Sequence, residues 1–286
     1  MHLYALIGWP LGHSFSQKYF TEKFEREGIE DARYELFPLG NIADLPHLLA
    51  QNPGLCGLSV TIPHKETVIP FLHDLDETAR AVGAVNCIKV FENQRLVGYN
   101  TDVLGFEKSL LTADGLPKAG GRWTSDGAAA LILGTGGAAK AVAFVLKKLG
   151  IPYLFVSRNP KRENEISYED LEKTWAANHQ SSIINHQSSI INHQSSIINH
   201  QSSIINHQSS IIVNTTPLGS FPRVGEMPPV PPDFFRPGMF VYDLIYNPAE
   251  TLLLREAKSR GCTVKNGLEM LELQAEAAWE IWQGDR

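Results

Sequence analysis

The chain has 286 residues, 43% of them hydrophobic, and a formal net charge of −6. That length predicts about two domains with substantial cores, and a pI near 5.9 argues against nucleic acid or an anionic membrane as a partner. No apolar run approaches the roughly 18 residues of a membrane span. Cys56, Cys87 and Cys262, three in number and without a CxxC pair, indicate neither a disulfide framework nor a zinc site.

In chain order, the opening stretch MHLYALIGWPLGHS lacks a basic region and reads as a first strand rather than a signal peptide. With the reduced cysteines, this gives the expectation of a soluble, cytoplasmic protein. Leu3 to Ile7 is strand-like, and Ser14 or Ser16 is placed to cap the helix that Gly28 stops. Residues 33–37 alternate like a strand, 42–51 look helical, and 55–61 form the next strand, followed by Ile62-Pro63-His64-Lys65. Short helices over 66–72 and 76–81 lead to a hairpin of 87–91 and 96–99. Asn100-Thr101-Asp102 then opens a helix to about Leu111. This alternation predicts one α/β domain of roughly 110 residues.

Thr112 to Gly127 reads as a linker. Ala128 to Leu133 has the composition of a strand buried on both faces. It runs into Gly134-Thr135-Gly136-Gly137-Ala138-Ala139, the G-x-G-x-x-A pattern, and a helix from Ala139 to Leu149. Gly134 permits the tight turn, Gly136 lets backbone approach a pyrophosphate, and Ala139 permits close helix–strand packing. The helix N-terminus supplies free N–H groups and a positive dipole end. Pro152 to Val156 reads as the second strand of this unit. Arg158 lies 24 residues after Gly134, where an NAD site would carry an acid. A guanidinium there suits a 2′-phosphate, with Lys161 and Arg162 adding positive field, so the pattern points to NADP.

Residues 178–212 are five tandem copies of Asn-His-Gln-Ser-Ser-Ile-Ile, 35 residues without a formal charge. Two adjacent Ile and five polar residues make no coiled-coil seam. The repeat's histidines, seven residues apart, are too far from one another in regular structure to share an ion, and no metal is expected. The last copy flows into Val213-Asn214 and supplies a strand. One copy therefore belongs to the fold and four are expected to be an expansion, tolerated because loop length costs little. Residues 221–237 are Pro-rich and irregular, Phe240 to Ile245 reads as the last strand, and 251–260 as a helix. Asn266 is placed to cap a final helix with an apolar face at Leu268, Leu271, Ala275, Ala278 and Trp282, Gln274 lying off its centre.

Hydride transfer to a ketone needs a proton donor and groups that orient the substrate. Polar residues stand at strand ends in the first domain: Ser14, Ser16, Thr61, Lys65, Asn86 and Asp102. In an open α/β sheet the ligand crevice lies beyond the carboxyl ends of the strands. Lys65 and Asp102, held together, would form a proton-transfer pair. Spacing alone does not show that they meet, and on the residues alone Lys65 reads as a surface lysine.

The chain resembles the shikimate dehydrogenase family through several separated signatures in one order. These are GWPLGHSFS (8–16), LSVTIPHK (58–65), GAVNC (83–87), YNTD (99–102), LGTGGAAKA (133–141), SRN (157–159), VNTTPLG (213–219), DLIYNP (243–248) and NGLEMLELQA (266–275). The resemblance implies an α/β enzyme in two parts. An N-terminal substrate domain (1–112) is completed by 246–286, its C-terminal helices packing back on it. A Rossmann-like NADP-binding domain spans 113–245 and carries the repeat as an insertion. It implies reversible NADPH-dependent reduction of 3-dehydroshikimate to shikimate, in a monomer or homodimer. Carried over by position, Ser14 and Ser16 would hold the substrate carboxylate. Thr61, Asn86, Asp102 and Gln274 would hold ring hydroxyls, Tyr246 would line the site, and Lys65 with Asp102 would be the acid/base pair. Gly134, Thr135, Gly136, Gly137 and Ala138, with Ser157, Arg158, Asn159 and Thr215, would bind the cofactor. Ser59, where the family usually has Asn, Trp9, His64, and Ser220, where it often has Met, depart from the pattern. A preference for quinate, a non-catalytic relative, and an assembly role for the repeat are the alternative readings.

Overall fold

The computed structural model describes residues 1–12, 14–113, 129–181 and 209–284. The expected linker falls mostly outside these residues. So do the middle copies of the repeat, with His186, His193, His200 and His207. The described chain forms two compact units, one of Met1–Phe106 with Met270–Arg286, the other of Glu107–Glu269.

The first unit begins with β1 (His2–Gly8), α1 (Phe15–Glu27) and β2 (Ala32–Pro38). Ser14 Oγ accepts from the Gln17 amide at 3.4 Å and so caps α1, and Gly28, in the left-handed region, ends it. A 3₁₀ turn (Ile42–Asp44) precedes α2 (Leu45–Gln51), where a single helix is expected from the sequence. β3 (Leu55–Val60), α3 (His64–Thr67), β4 (Asp74–Leu75), α4 (Glu77–Val82), β5 (Cys87–Val90), β6 (Leu96–Tyr99) and α5 (Thr101–Leu111) follow. The six strands form one sheet in the order β2-β1-β3-β5-β6-β4. β1 pairs in parallel with β2 and β3, whereas β5 runs antiparallel to β3 and to β6.

The second sheet is built from β7 (Ala129–Leu133), β8 (Tyr153–Ser157), β9 (Glu165–Ser167), β10 (Ser209–Asn214), β11 (Phe240–Asp243) and β12 (Thr263–Lys265). Every pairing in it is parallel. α6 (Gly137–Lys148), α7 (Tyr168–Ser181) and α8 (Leu252–Ser259) complete the unit. The order β12-β11-β10-β7-β8-β9 places the earliest strand, β7, between β8 and β10. Successive strands therefore run outward in both directions from the β7–β10 pair, the switch point at which such sheets bind ligands. β7 is buried along its whole length, as its unbroken apolar run requires.

Two expectations change here. Phe240–Asp243 is not the last strand, because Thr263–Lys265 pairs in parallel with it as the sheet edge. Residues 246–269 accordingly lie with the second unit rather than the first, and only α9 (Leu268–Gln283) carries the chain back to the N-terminal sheet. The repeat also enters the fold at both ends. The first four residues of its first copy continue α7, and the last four of its final copy begin β10, whose Ile211 and Ile212 pair with β7 and β11.

On α9, Ala275, Ala278 and Trp282 are buried as their spacing predicts, while Leu268 is exposed and Gln274 is buried instead. Trp282 stacks on Tyr4 at 5.0 Å between ring centroids, and its indole N–H donates to the Ile88 carbonyl at 3.0 Å. The last helix thus fills the core beneath the first strand.

Candidate active site

In the first unit the polar residues singled out from sequence stand at one edge of the sheet. β1, β3 and β6 end there, and β5, running the other way, begins there. The exits of β1 and β3 run together, the Trp9 amide donating to the Ile62 carbonyl at 2.9 Å. This places the start of α1, with Ser14 and Ser16, and the Thr61–Lys65 segment at the same edge. Thr61 closes the turn into α3 by accepting from the His64 amide at 2.9 Å.

At this edge Lys65 Nζ donates to Asp102 Oδ2 at 2.5 Å, across 37 residues of sequence. Asp102 lies in the first turn of α5, where a negative charge is favoured by the helix dipole. Its other oxygen accepts from Asn86 Nδ2 at 2.9 Å. Asn86 also donates to Thr101 Oγ1 at 2.9 Å and to Gln274 Oε1 at 3.2 Å, while its own oxygen accepts from the Thr101 amide at 2.7 Å. Gln274 Nε2 donates to the Leu271 carbonyl at 2.9 Å. Lys65, Asn86, Asp102 and Gln274 are therefore one connected cluster. Its centre is Asn86, only 4% exposed. The Lys65 side chain keeps 17% of its surface, so it is held by charge without being sealed in the core. Thr101 belongs to this cluster and was not picked out from sequence, where it reads as a helix-opening residue.

Among the departures from the family pattern, His64 is buried, with Nε2 2.6 Å from the Leu39 carbonyl, so it braces the loop after β2. Trp9 is exposed. Ser220 donates its amide to the Pro217 carbonyl at 3.2 Å and closes the turn there.

In the second unit the glycine loop sits at the switch point. Gly134 has φ +109°, and a Cβ there would meet Thr215 Oγ1 at 2.7 Å, so both conformation and space require glycine. Thr215 is fixed against this turn by two bonds to the Leu133 carbonyl, from its amide at 3.0 Å and its hydroxyl at 2.7 Å. Gly136 is the N-cap of α6 with no side chain capping the helix, which leaves first-turn N–H groups at 137–138 for an anion. Open space surrounds Gly136 where a Cβ would stand. Ala139 is fully buried, as close helix–strand packing demands. Beyond β8, Ser157 Oγ accepts from the Asn159 amide at 3.2 Å, and Arg158 and Asn159 are exposed. The donor set fits a dinucleotide with a phosphorylated ribose: helix N–H groups for a pyrophosphate and a guanidinium for a further phosphate. Tyr246, the remaining residue taken from sequence, follows β11 in the same unit.

A family model described as the shikimate dehydrogenase substrate binding domain matches residues 6–88. The shikimate dehydrogenase (NADP(+)) of Moorella thermoacetica is 40% identical over 285 residues, covering 99% of this chain and 88% of that protein. The chain belongs to the shikimate dehydrogenase family. Among solved members, a shikimate dehydrogenase in complex with NADP+ has a TM-score of 0.73 and 30% identity, covering 100% of this chain and 91% of the other. The enzyme of Thermus thermophilus, solved in complex with NADP(H) and shikimate, has a TM-score of 0.72 and 28% identity, covering 100% and 94%. The family's two-part α/β architecture is thus the architecture of this chain.

Proposed function

We propose that this chain is an NADP-dependent shikimate dehydrogenase, reducing 3-dehydroshikimate to shikimate reversibly. The observation that carries the reading is the Lys65–Asp102 pair at 2.5 Å, seated among Asn86, Thr101 and Gln274 at the strand ends. Its support from outside the chain is the family membership and the solved member holding NADP(H) and shikimate.

The cofactor, when bound, supplies the hydride to the ketone carbon. Gly134, Thr135, Gly136, Gly137 and Ala138 would hold its pyrophosphate, Ser157, Arg158 and Asn159 its phosphorylated ribose, and Thr215 the edge of the same loop. Lys65 carries the proton that the ketone oxygen takes as it becomes a hydroxyl. In the oxidising direction the amine takes that proton back. Asp102 stabilises the ammonium and keeps Nζ aimed, and Asn86 fixes the Asp102 oxygen that Lys65 does not use. Gln274, Asp102 and Thr61 orient the ring hydroxyls, and Ser14 and Ser16 the carboxylate. The proposal includes a cytoplasmic enzyme, monomeric or homodimeric, with no nucleic-acid partner. Its support is the acidic composition and the free cysteines among the described residues.

The test mixes the full chain with shikimate and NADP+ and follows the reduced-nicotinamide absorbance, with quinate and NAD+ alongside. Turnover fastest with shikimate and NADP+ is expected. Folded protein that turns over quinate faster, or nothing at all, would overturn the assignment.

A further inference from the structure

Three polar side chains are sealed inside the second unit at the ends of β10 and β11: Asn214 and Asp243, both fully buried, and Thr251, 1% exposed. Asp243 Oδ1 accepts from Asn214 Nδ2 at 2.9 Å and from the Ile245 amide at 3.0 Å, and Oδ2 accepts from Thr251 Oγ1 at 2.6 Å. With its nitrogen committed to Asp243, Asn214 must turn its oxygen the other way. That oxygen accepts from the Thr216 amide at 3.0 Å and hydroxyl at 2.7 Å. The Thr216 hydroxyl in turn accepts from the Leu218 amide at 3.3 Å. An unbroken series of hydrogen bonds therefore runs from one carboxylate into the turn whose Thr215 lies against Gly134.

The same carboxylate reaches a second turn. The Ile245 amide leads toward Tyr246, and Thr251 caps α8 by accepting from the Leu254 amide at 3.3 Å. Gly267 pins this turn from behind, where a Cβ would stand 2.0 Å from the Leu244 carbonyl oxygen. The two turns also meet directly, the Phe221 amide donating to the Asn247 carbonyl at 3.1 Å. The hydrogen-bond partners of Asp243 are all neutral donors. Burying a carboxylate without a cation is expensive, and burial pushes its pKa up to about 6. An apolar side chain would close the strand end at lower cost. What it would lack is three acceptor bonds aimed at two turns.

We infer that Asp243 is a positioning residue of the dinucleotide site, setting the 215–218 turn against the glycine loop through Asn214 and Thr216, and the turn bearing Tyr246 through Ile245 and Thr251. The inference rests on reading the glycine loop as the NADP site.

The test uses the full chain with Asp243→Ala, Asp243→Asn and, as a control, Met239→Ala, a core truncation at the opposite end of β11. Calorimetry gives the NADP+ dissociation constant, and amide hydrogen exchange without cofactor reports on 215–218. Initial rates separate the NADP+ KM from kcat. Asp243→Ala is expected to weaken NADP+ binding about tenfold or more, the scale of buried donors left unpaired, and to speed exchange at Thr216 and Leu218. Asp243→Asn keeps one oxygen for Asn214 and Ile245 and is expected to restore most of the affinity. Met239→Ala is expected to lower thermal stability while leaving affinity and exchange at 215–218 unchanged. If Asp243→Ala does not fold, Thr251→Val and Asp243→Asn carry the same comparison against Met239→Ala, with a smaller loss in the same direction. Unchanged affinity and exchange in these variants, or equal losses in the Met239 control, would overturn the inference. NADP+ binding by wild type without turnover would fail the proposed reaction alone, since binding and exchange still decide the role of Asp243. No NADP+ binding by wild type would overturn both.

Discussion

Asp102 and Asp243 are both buried carboxylates at strand ends, and the chain treats them in opposite ways. Asp102 faces the Lys65 ammonium at 2.5 Å, and that lysine keeps an opening to solvent. Asp243 faces only neutral donors and has no exposed surface. A carboxylate paired with a reachable cation can take part in proton traffic. One sealed among N–H and O–H donors can only hold shape, and burial lifts its pKa instead. The same side chain thus serves chemistry in one unit and geometry in the other, and its neighbours decide which.

The largest effect expected on this contrast comes from Lys65→Ala. It should lower kcat by about 10²- to 10⁴-fold, the usual worth of a positioned acid/base group, with NADP+ binding by calorimetry unchanged. Next comes the pH dependence of stability at Asp243. Below pH 3.8 the carboxyl is protonated folded or unfolded, and above about 6 in neither state; between them only the folded chain holds the proton. The native state binds more protons in that window, so raising pH through it removes stability, by about 3 kcal/mol in all. Urea unfolding of wild type and Asp243→Asn should show their difference appear between these pH values and vanish toward the acid end. A difference independent of pH across this window would refute the reading of Asp243 as a carboxylate buried without a cation. Arg158→Ala is expected to raise the NADP+ KM about tenfold and leave that for NAD+ unaltered, which initial rates with each cofactor would read.

The smallest effect belongs to the repeat. α7 uses the first four residues of the first copy and β10 the last four of the last. Removing four copies would leave seven residues for these eight positions. Removing 185–205 leaves two copies, with six residues to connect the elements. This three-copy deletion is expected to change kcat less than about twofold, because shortening a loop alters closure entropy only slightly. A larger loss would show that the spacing, and not only the two ends, is needed.

How far sequence carried this reading depended on the range of the forces involved. β7 and the glycine loop were legible because strand, turn and helix follow within about a dozen residues and each has its own local pattern. β4, β9 and β12, of two or three residues, are too short to show any periodicity and exist only because a neighbouring strand offers hydrogen bonds. Lys65 and Asp102 were legible as a pair through the family resemblance and not from their spacing, since their contact spans 37 residues. Gln274 looked peripheral because its helix face was drawn from apolar residues alone. The Asn86 amide it bonds lies 188 residues earlier. Asp243 opens the DLIYNP signature, but its role is not legible there, its partners being Asn214, 29 residues before it, and Thr251, eight after.

Trp282, stacked on Tyr4 and bonded to Ile88, sets an order for the making of this protein. The second unit is continuous in sequence, whereas the first waits for a helix that begins 167 residues after its own fifth helix opens, Leu268 against Thr101. At about 5–20 residues per second of synthesis, the first-made strand stands roughly 14–55 s without the indole that fills its core. The half of the chain that emerges first is the half that matures last.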